Sequence, residues 1–143
     1  MKKLFSWKSS GTTLNLGLLL FRLLFAGMII PVGYNKLMNY SKMLNDPTYP
    51  YPWHDPFGVH DSASLALLIF AEFFCACLIV LGLLTRLACI PLIIAMAVAF
   101  FKVHNSEFFA DGQFAPAAMY MFGFIAILLA GPGKISLDAT ISK

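Results

Sequence analysis

Residues 63–103, ASLALLIFAEFFCACLIVLGLLTRLACIPLIIAMAVAFFKV, decide the fold of this chain. The charged side chains in this stretch are few: Glu72, Arg86 and Lys102. About 20 residues of apolar helix are enough to cross the hydrocarbon layer of a bilayer, and this stretch is about twice as long. Because the polar pair Thr85-Arg86 interrupts it near the middle, we predict two membrane-spanning helices joined as a tight antiparallel hairpin, at residues 63–84 and 87–104.

Two further apolar runs lie on either side of this hairpin, at residues 14–33 and 114–130. The chain is 59% hydrophobic and 12% charged, whereas soluble domains carry about 25% charged residues. A soluble domain of this size could not bury so much apolar surface, but residues that face lipid need no burial. The composition therefore predicts an all-α fold, an integral membrane four-helix bundle formed as a single domain by residues 1–143.

The longest predicted loop, residues 38–61, is rich in proline and aromatic residues. Proline favours turns and extended chain, and aromatic side chains gather at membrane–water interfaces. We expect this loop to form an ordered cap over the helix ends, with a short helix near residues 40–44.

Basic residues outside the predicted spans are distributed unequally between the two sides. One side carries Lys2, Lys3, Lys8, Arg86, Lys134 and Lys143, and the other carries Lys36, Lys42 and Lys102. Cytoplasmic segments of membrane proteins carry the excess of Lys and Arg. We therefore predict that both termini of this multi-pass membrane protein are cytoplasmic, and that loop 38–61 faces outward.

Two charged residues fall inside predicted spans, Arg22 in the first and Glu72 in the second. A charge in the membrane centre costs about 2.5–3.5 kcal/mol on insertion scales, so such residues usually face the bundle and have partners. Counted from the inner helix ends, Arg22 lies about 12 Å deep and Glu72 about 18 Å, a difference that a long Arg side chain covers. We expect an intramembrane Arg22–Glu72 ion pair. Its role is either only to fix the helix register, or to bind a polar head group or relay a proton.

A second polar group is expected at the outer helix ends. Lys36 ends the first span, His104 ends the third, and Gln113 leads into the fourth. Histidine titrates near neutral pH and suits proton transfer, as quinone reactions at a membrane surface require. The plainer interpretation is that polar residues gather at the ends of any membrane helix, and it applies more strongly to the loop histidines His54 and His60.

The sequence contains no motif for a metal, a dinucleotide or a phosphate loop. The cysteines Cys75, Cys77 and Cys89 lie in apolar surroundings without metal-ligand spacing, so we expect them to pack in the core. The scattered basic residues form no stripe for nucleic acid. No cofactor is evident, quinone is the candidate ligand, and whether the chain takes part in catalysis is left open.

Several short motifs resemble those of the DoxX family of small bacterial and archaeal membrane proteins. They run in order from about residue 18 to 138: Arg22-Leu23-Leu24, Gly33-Tyr34-Asn35-Lys36-Leu37, Glu72, Gly82-Leu83-Leu84-Thr85-Arg86, Met96 and Ala99 with His104, and Gly131-Pro132-Gly133-Lys134-Ile135-Ser136-Leu137-Asp138. One position departs from the pattern. Gly112-Gln113 stands where many relatives have Gly-Glu, so a charge is missing there.

The resemblance implies a four-helix membrane fold and a link to thiosulfate:quinone oxidoreductase and other membrane redox complexes. Three functions follow as expectations. The chain is a membrane subunit of a redox or quinone-linked respiratory assembly, a non-catalytic accessory subunit that packs against a larger membrane complex, or a small transporter. Four spans with no inverted-repeat pattern disfavour the transporter. Other membrane subunits and lipid are the expected partners.

Overall fold

The computed structural model describes residues 11–46, 59–103, 109–110, 113–114 and 116–141. Its helices, in chain order, are α1 (Gly11–Met38), α2 (Tyr40–Asn45), α3 (Asp61–Leu81), α4 (Thr85–Val98), α5 (Pro116–Ala130) and α6 (Leu137–Ile141). Helix α3 contains a π-helical stretch at Phe70–Cys75, and a second π-helical stretch, Ala99–Val103, continues α4. Two short strands, β1 (Phe109–Ala110) and β2 (Gln113–Phe114), pair antiparallel.

The longer helices α1, α3, α4 and α5 pack in a ring, in which each contacts the next along the chain and α5 contacts α1. Small side chains allow the helix backbones to approach closely. The core between them comprises mainly small and aliphatic residues: Ala26, Ile29, Ala71, Cys75, Ala76, Ile79, Ala88, Cys89, Leu92, Ala95, Met96, Phe124 and Ile127. The predicted helical bundle is therefore confirmed, and two of the three cysteines lie in the core as expected.

In the part of the chain that the structure describes, two helices are long and apolar enough to cross a membrane, α1 with 28 residues and α3 with 21. The apolar helices Thr85–Phe101 and Pro116–Ala130 are shorter. Large apolar side chains cover much of the outside of the bundle, among them Leu20, Leu24, Met28, Leu67, Phe74, Ile94 and Leu129. Exposed apolar surface on this scale is typical of a protein that contacts lipid or other subunits. The crossing number of four and the side on which the termini lie stay predictions.

The turn between α3 and α4 is a glycine-capped helix end. Gly82 has a positive φ of 71°. Its N–H donates to the Ile79 carbonyl at 3.0 Å, and the Leu83 N–H donates to the Leu78 carbonyl at 2.9 Å. This bonding pattern is the Schellman motif, in which glycine adopts the left-handed conformation without a steric penalty. The predicted helical hairpin is thus closed by a defined backbone geometry.

Around the predicted outer loop, the short helix expected near residues 40–44 is present as α2. The Tyr40 hydroxyl donates to the Ser62 carbonyl at 3.0 Å, so α2 is tied to the first turn of α3. The proline-rich residues 47–58 lie outside the described residues. Before α5, the backbone of Ala110 pairs with that of Gln113.

Candidate functional site

A lysine of α1 and a glutamate of α3 form a buried ion pair. The Lys36 ammonium group donates to Glu72 Oε2 at 2.5 Å. The Glu72 side chain is only 4% exposed, whereas the Lys36 side chain is 22% exposed. The carboxylate therefore lies inside the bundle, and the lysine connects it to the surface.

The backbone at this pair is shaped by a glycine and by π-helical geometry. Glu72 lies in the π-helical stretch of α3, a rare geometry that occurs frequently at functional sites. A Cβ atom added to Gly33 would lie 2.7 Å from the Glu72 carbonyl carbon and 2.7 Å from the Phe73 nitrogen. Glycine at this position therefore allows α1 to press against the Glu72 peptide. Residues three apart share a helix face, so Lys36 lies on the same face of α1 as Gly33, about one turn further along the helix.

The pair has apolar and aromatic neighbours. Met43, Leu65 and Ile69 form a small buried cluster against which Phe73 packs. The ring of Tyr34, next to Gly33, lies 6.0 Å from that of Phe73. Removing two charges from water in such surroundings costs several kcal/mol per ion before their attraction repays it. An ionisable pair held at this cost inside an apolar bundle is by default a functional-site candidate.

The predicted pairing of Arg22 with Glu72 is corrected by these contacts. Arg22 is 1% exposed and donates from Nη2 to the Ile135 carbonyl at 2.6 Å. The prediction assumed that the inner ends of α1 and α3 lie level with each other. Instead Gly33 lies beside Glu72 and Arg22 beside Gly82, so α1 extends on the order of 15 Å beyond the end of α3. Glu72 is therefore level with the end of α1 that carries Lys36.

Arg22 belongs to a second cluster, at the turn between α3 and α4. A Cβ atom added to Gly82 would overlap with Arg22 Nη1 and would lie 2.6 Å from Ser136 Cβ. The Arg22 charge therefore lies at the C-terminal end of α3, where the helix dipole favours a cation. The nearby Gly82 carbonyl accepts a hydrogen bond from the Asp138 N–H at 2.9 Å.

Asp138 caps the first turn of α4 from a distant part of the chain. Its carboxylate accepts hydrogen bonds from the Leu84 N–H at 2.7 Å, the Thr85 N–H at 3.0 Å and the Thr85 hydroxyl at 2.9 Å. A helix N-terminus favours an anion, as its C-terminus favours a cation. Opposite charges on Arg22 and Asp138 therefore hold the two helix ends of the hairpin, and the C-terminal segment closes this end of the bundle.

The Asn15 side chain holds the same segment to α1, because its carbonyl oxygen accepts a hydrogen bond from the Lys134 N–H at 3.0 Å. The start of α1 and the C-terminal segment therefore lie at the same end of the bundle. The motifs that contain Arg22, Gly82 and Asp138 form one structural cluster, whereas Gly33, Lys36 and Glu72 form the other.

Asp138 gives a prediction for the pH dependence of stability. Burial alone would raise the pKa of this carboxyl, but hydrogen bonds from Thr85 and Leu84 and the Arg22 charge hold its pKa below the ordinary value of 3.8. A folded-state pKa below the unfolded one stabilises the fold above the unfolded pKa, and this contribution is lost as pH falls through the folded pKa. We expect the melting temperature in detergent to decrease when the pH is lowered below about 4. The Asp138→Asn variant should lack this part of the acid dependence. Identical acid profiles for the two proteins would contradict the prediction.

The structure describes only part of the predicted outer polar site. Lys36 is described, and it contacts Glu72. His104 and His54 lie outside the described residues, as does the side chain of Gln113, so their convergence with Lys36 stays a prediction. His60 is exposed, with its Nδ1 atom 3.0 Å from the Ser62 hydroxyl oxygen. Among the described residues, no group of three or more His, Cys, Asp and Glu side chains could hold a metal ion.

Sequence reasoning selected Lys36 and Glu72 separately but missed their pairing. It also missed the π-helical stretch and the capping role of Asp138. A signal for the pairing was present, since Gly33 and Lys36 are three residues apart on one helix face. Comparing both ends of α1 with α3 would have offered Lys36 as an alternative partner for Glu72.

Comparison with known proteins shows the family of this chain. The chain is 24% identical over 141 residues to an uncharacterized protein of Haemophilus influenzae, an alignment that covers 95% of this chain and 90% of the relative. No solved structure matches the chain significantly. The DoxX family model matches residues 17–105, a range that contains Arg22, Lys36, Glu72 and the hairpin. This match spans more than half of the chain, and the chain therefore belongs to the DoxX family.

Proposed function

We propose that this chain is a small membrane subunit of a redox or quinone-linked respiratory assembly, with the Lys36–Glu72 pair as its polar centre. One observation carries the proposal: a buried carboxylate on a π-helical turn is held by a partly exposed lysine among apolar and aromatic side chains. A lipid-soluble ligand whose head group carries polar oxygens fits a site of this kind, in which a polar pair lies among apolar side chains. His104 and Gln113 complete the site in this proposal.

The second candidate is a non-catalytic accessory subunit of a larger membrane complex. The exposure of α1 supports it, because only 22% of the residues in its most apolar 18-residue stretch are buried, against 50% for α3. Helix α1 therefore offers a wide apolar face to lipid or to another subunit. A small transporter is the third and weakest candidate.

Purification of the native protein in mild detergent tests the proposal. We expect redox subunits in the mass spectrum of the purified complex and quinone in its lipid extract. The double variant Lys36→Met/Glu72→Gln should lose the quinone and keep the subunits, while Lys42→Met, at an exposed lysine of α2, should keep both. Subunits without quinone in the wild type would favour the accessory role. A homo-oligomer with neither would overturn the proposal and favour the transporter.

Topology within the bacterial inner membrane is part of the same proposal, with four crossings and both termini cytoplasmic. Reporter fusions after Lys143 and within Pro47–Pro56 are expected to report opposite sides of the membrane, because the excess of Lys and Arg lies with the termini. Fusing alkaline phosphatase and, separately, a fluorescent protein at each position measures on which side of the membrane that position lies. Both positions on the same side would exclude four crossings.

A further inference from the structure

We propose that an anionic phospholipid binds at the end of the bundle that holds the start of α1 and the C-terminal segment. An acyl chain of the lipid lies in a groove on α1, and its phosphate is bound by Lys134. The centre of this groove, at Gly17, lies about 28 Å along α1 from Lys36. The lipid site is therefore separate from the Lys36–Glu72 pair.

The groove lies on the part of α1 that extends beyond the end of α3. Thr13, Leu14, Gly17, Leu18 and Phe21 line it, and their spacing of three and four residues places them in one stripe along the helix. Its volume is about 380 Å³, within the range of about 300–1,000 Å³ that ligand sites have. A Cβ atom added to Gly17 would meet nothing within 4 Å. The missing side chain at the centre of the stripe therefore leaves space for an apolar chain.

The C-terminal segment contacts one wall of this groove. A Cβ atom added to Gly133 would lie 3.4 Å from Leu18 Cδ1, and the Lys134 N–H donates to the Asn15 side chain at 3.0 Å. Lys134 is exposed. Its ammonium group therefore lies beside the start of the groove, which continues from there along α1 to Phe21.

The charges at this end of the bundle favour an anion. Arg86 is also exposed, and its Nη2 atom would lie 3.2 Å from a Cβ atom added to Gly131, three residues before Lys134. Among the residues that the structure describes, Asp138 is the only acidic side chain at this end, and its oxygens accept hydrogen bonds from the first turn of α4. Two exposed cations beside an apolar groove complement a phosphate that carries an acyl chain.

A lipid suits this groove better than a second copy of the chain does. Two copies in one membrane have the same orientation, so a second copy would bring its own Arg86 and Lys134 to the same level, where like charges repel. An anionic lipid instead neutralises these cations. This end of the bundle is also the one predicted to be cytoplasmic, and the cytoplasmic leaflet carries the anionic lipids.

The experiment measures lipid binding to the full-length chain in detergent by native mass spectrometry, with phosphatidylglycerol and phosphatidylcholine of the same acyl chains. We expect the wild type to bind phosphatidylglycerol about ten- to thirtyfold more tightly, because two cations contribute. Lys134→Gln should lower this preference about fivefold. Gly17→Leu, which fills the groove, should weaken the binding of both lipids about tenfold and leave their ratio unchanged.

Gly27→Leu and Lys42→Gln are the controls. A Cβ atom at Gly27 also meets nothing within 4 Å, and Lys42 is an exposed lysine of α2, so both variants should bind the two lipids as the wild type does. Equal affinities of the wild type for the two lipids, or wild-type lipid binding in Gly17→Leu, would overturn the proposal. A Gly17→Leu variant that loses self-association while its lipid binding is unchanged would assign the groove to a second copy of the chain instead.

Discussion

Lys36→Met is expected to lower the free energy of unfolding by about 3–5 kcal/mol, the typical cost of removing one partner from a buried ion pair. The Glu72 carboxylate would remain in the bundle at 4% exposure without its cation. Glu72→Gln should cost less, because glutamine keeps an acceptor oxygen for Lys36 and the lysine side chain reaches the surface. Denaturant or thermal unfolding in detergent measures both losses.

A double-mutant cycle identifies the partner of Glu72. Lys36→Met/Glu72→Gln should recover much of the loss caused by Lys36→Met, because no buried charge is then left unpaired. The matched control is the cycle of Arg22→Leu with Glu72→Gln. Its two losses should add within about 0.5 kcal/mol, since Arg22 lies beside Gly82, about 15 Å along α3 from Glu72. Additive losses in the first cycle and coupling in the second would restore the Arg22–Glu72 pairing.

Gly33→Ala is expected to be the other strongly destabilising change, at about 1–3 kcal/mol or slightly more. The added methyl group would lie 2.7 Å from backbone atoms of Glu72 and Phe73, and a backbone cannot rotate away as a flexible side chain can. Helix α1 would have to move off α3, which would also lengthen the Lys36–Glu72 contact. The variant should therefore lose both stability and the coupling measured between Lys36 and Glu72.

Gly27→Ala is the matched control for that change. It lies on the same helix, and a Cβ atom there would meet nothing within 4 Å. Alanine favours a helix over glycine by about 1 kcal/mol, so this variant should be as stable as the wild type or more so. Equal stabilities for the two alanine variants would show that α1 and α3 do not approach closely at Gly33.

Both predictions concern the same contact, and this contact links stability to the proposed function. Gly33 sets the distance between the helices, and that distance brings Lys36 to Glu72. A π-helical stretch in α3 supplies the carboxylate. The cluster of Arg22, Gly82 and Asp138 holds the other end of the bundle by capping two helices. The first cluster is therefore the candidate site of the proposed function. The second caps two helices, and within the described residues the buried Nε and Nη1 atoms of Arg22 in it have no hydrogen-bond partner.

The sequence alone determined the elements of the fold. Long apolar runs predict helices for a membrane, and the polar pair Thr85-Arg86 marks the hairpin between two of them. These properties are local, since hydropathy and turn residues act within a few turns of the chain. For the same reason the sequence showed that Glu72 and Arg22 lie on apolar helices and need partners.

Only the tertiary structure decided which partners they have. Pairing depends on how far one helix is shifted along another, and hydropathy varies too smoothly along an apolar helix to fix that shift. Here the shift is set by two close contacts, Gly33 against Glu72 and Gly82 against Arg22. They bring Lys36 to Glu72 and leave Arg22 to the Ile135 carbonyl. Arg22 lies level with Gly82, ten residues or about 15 Å along α3 from Glu72, which is too far for the predicted ion pair to form.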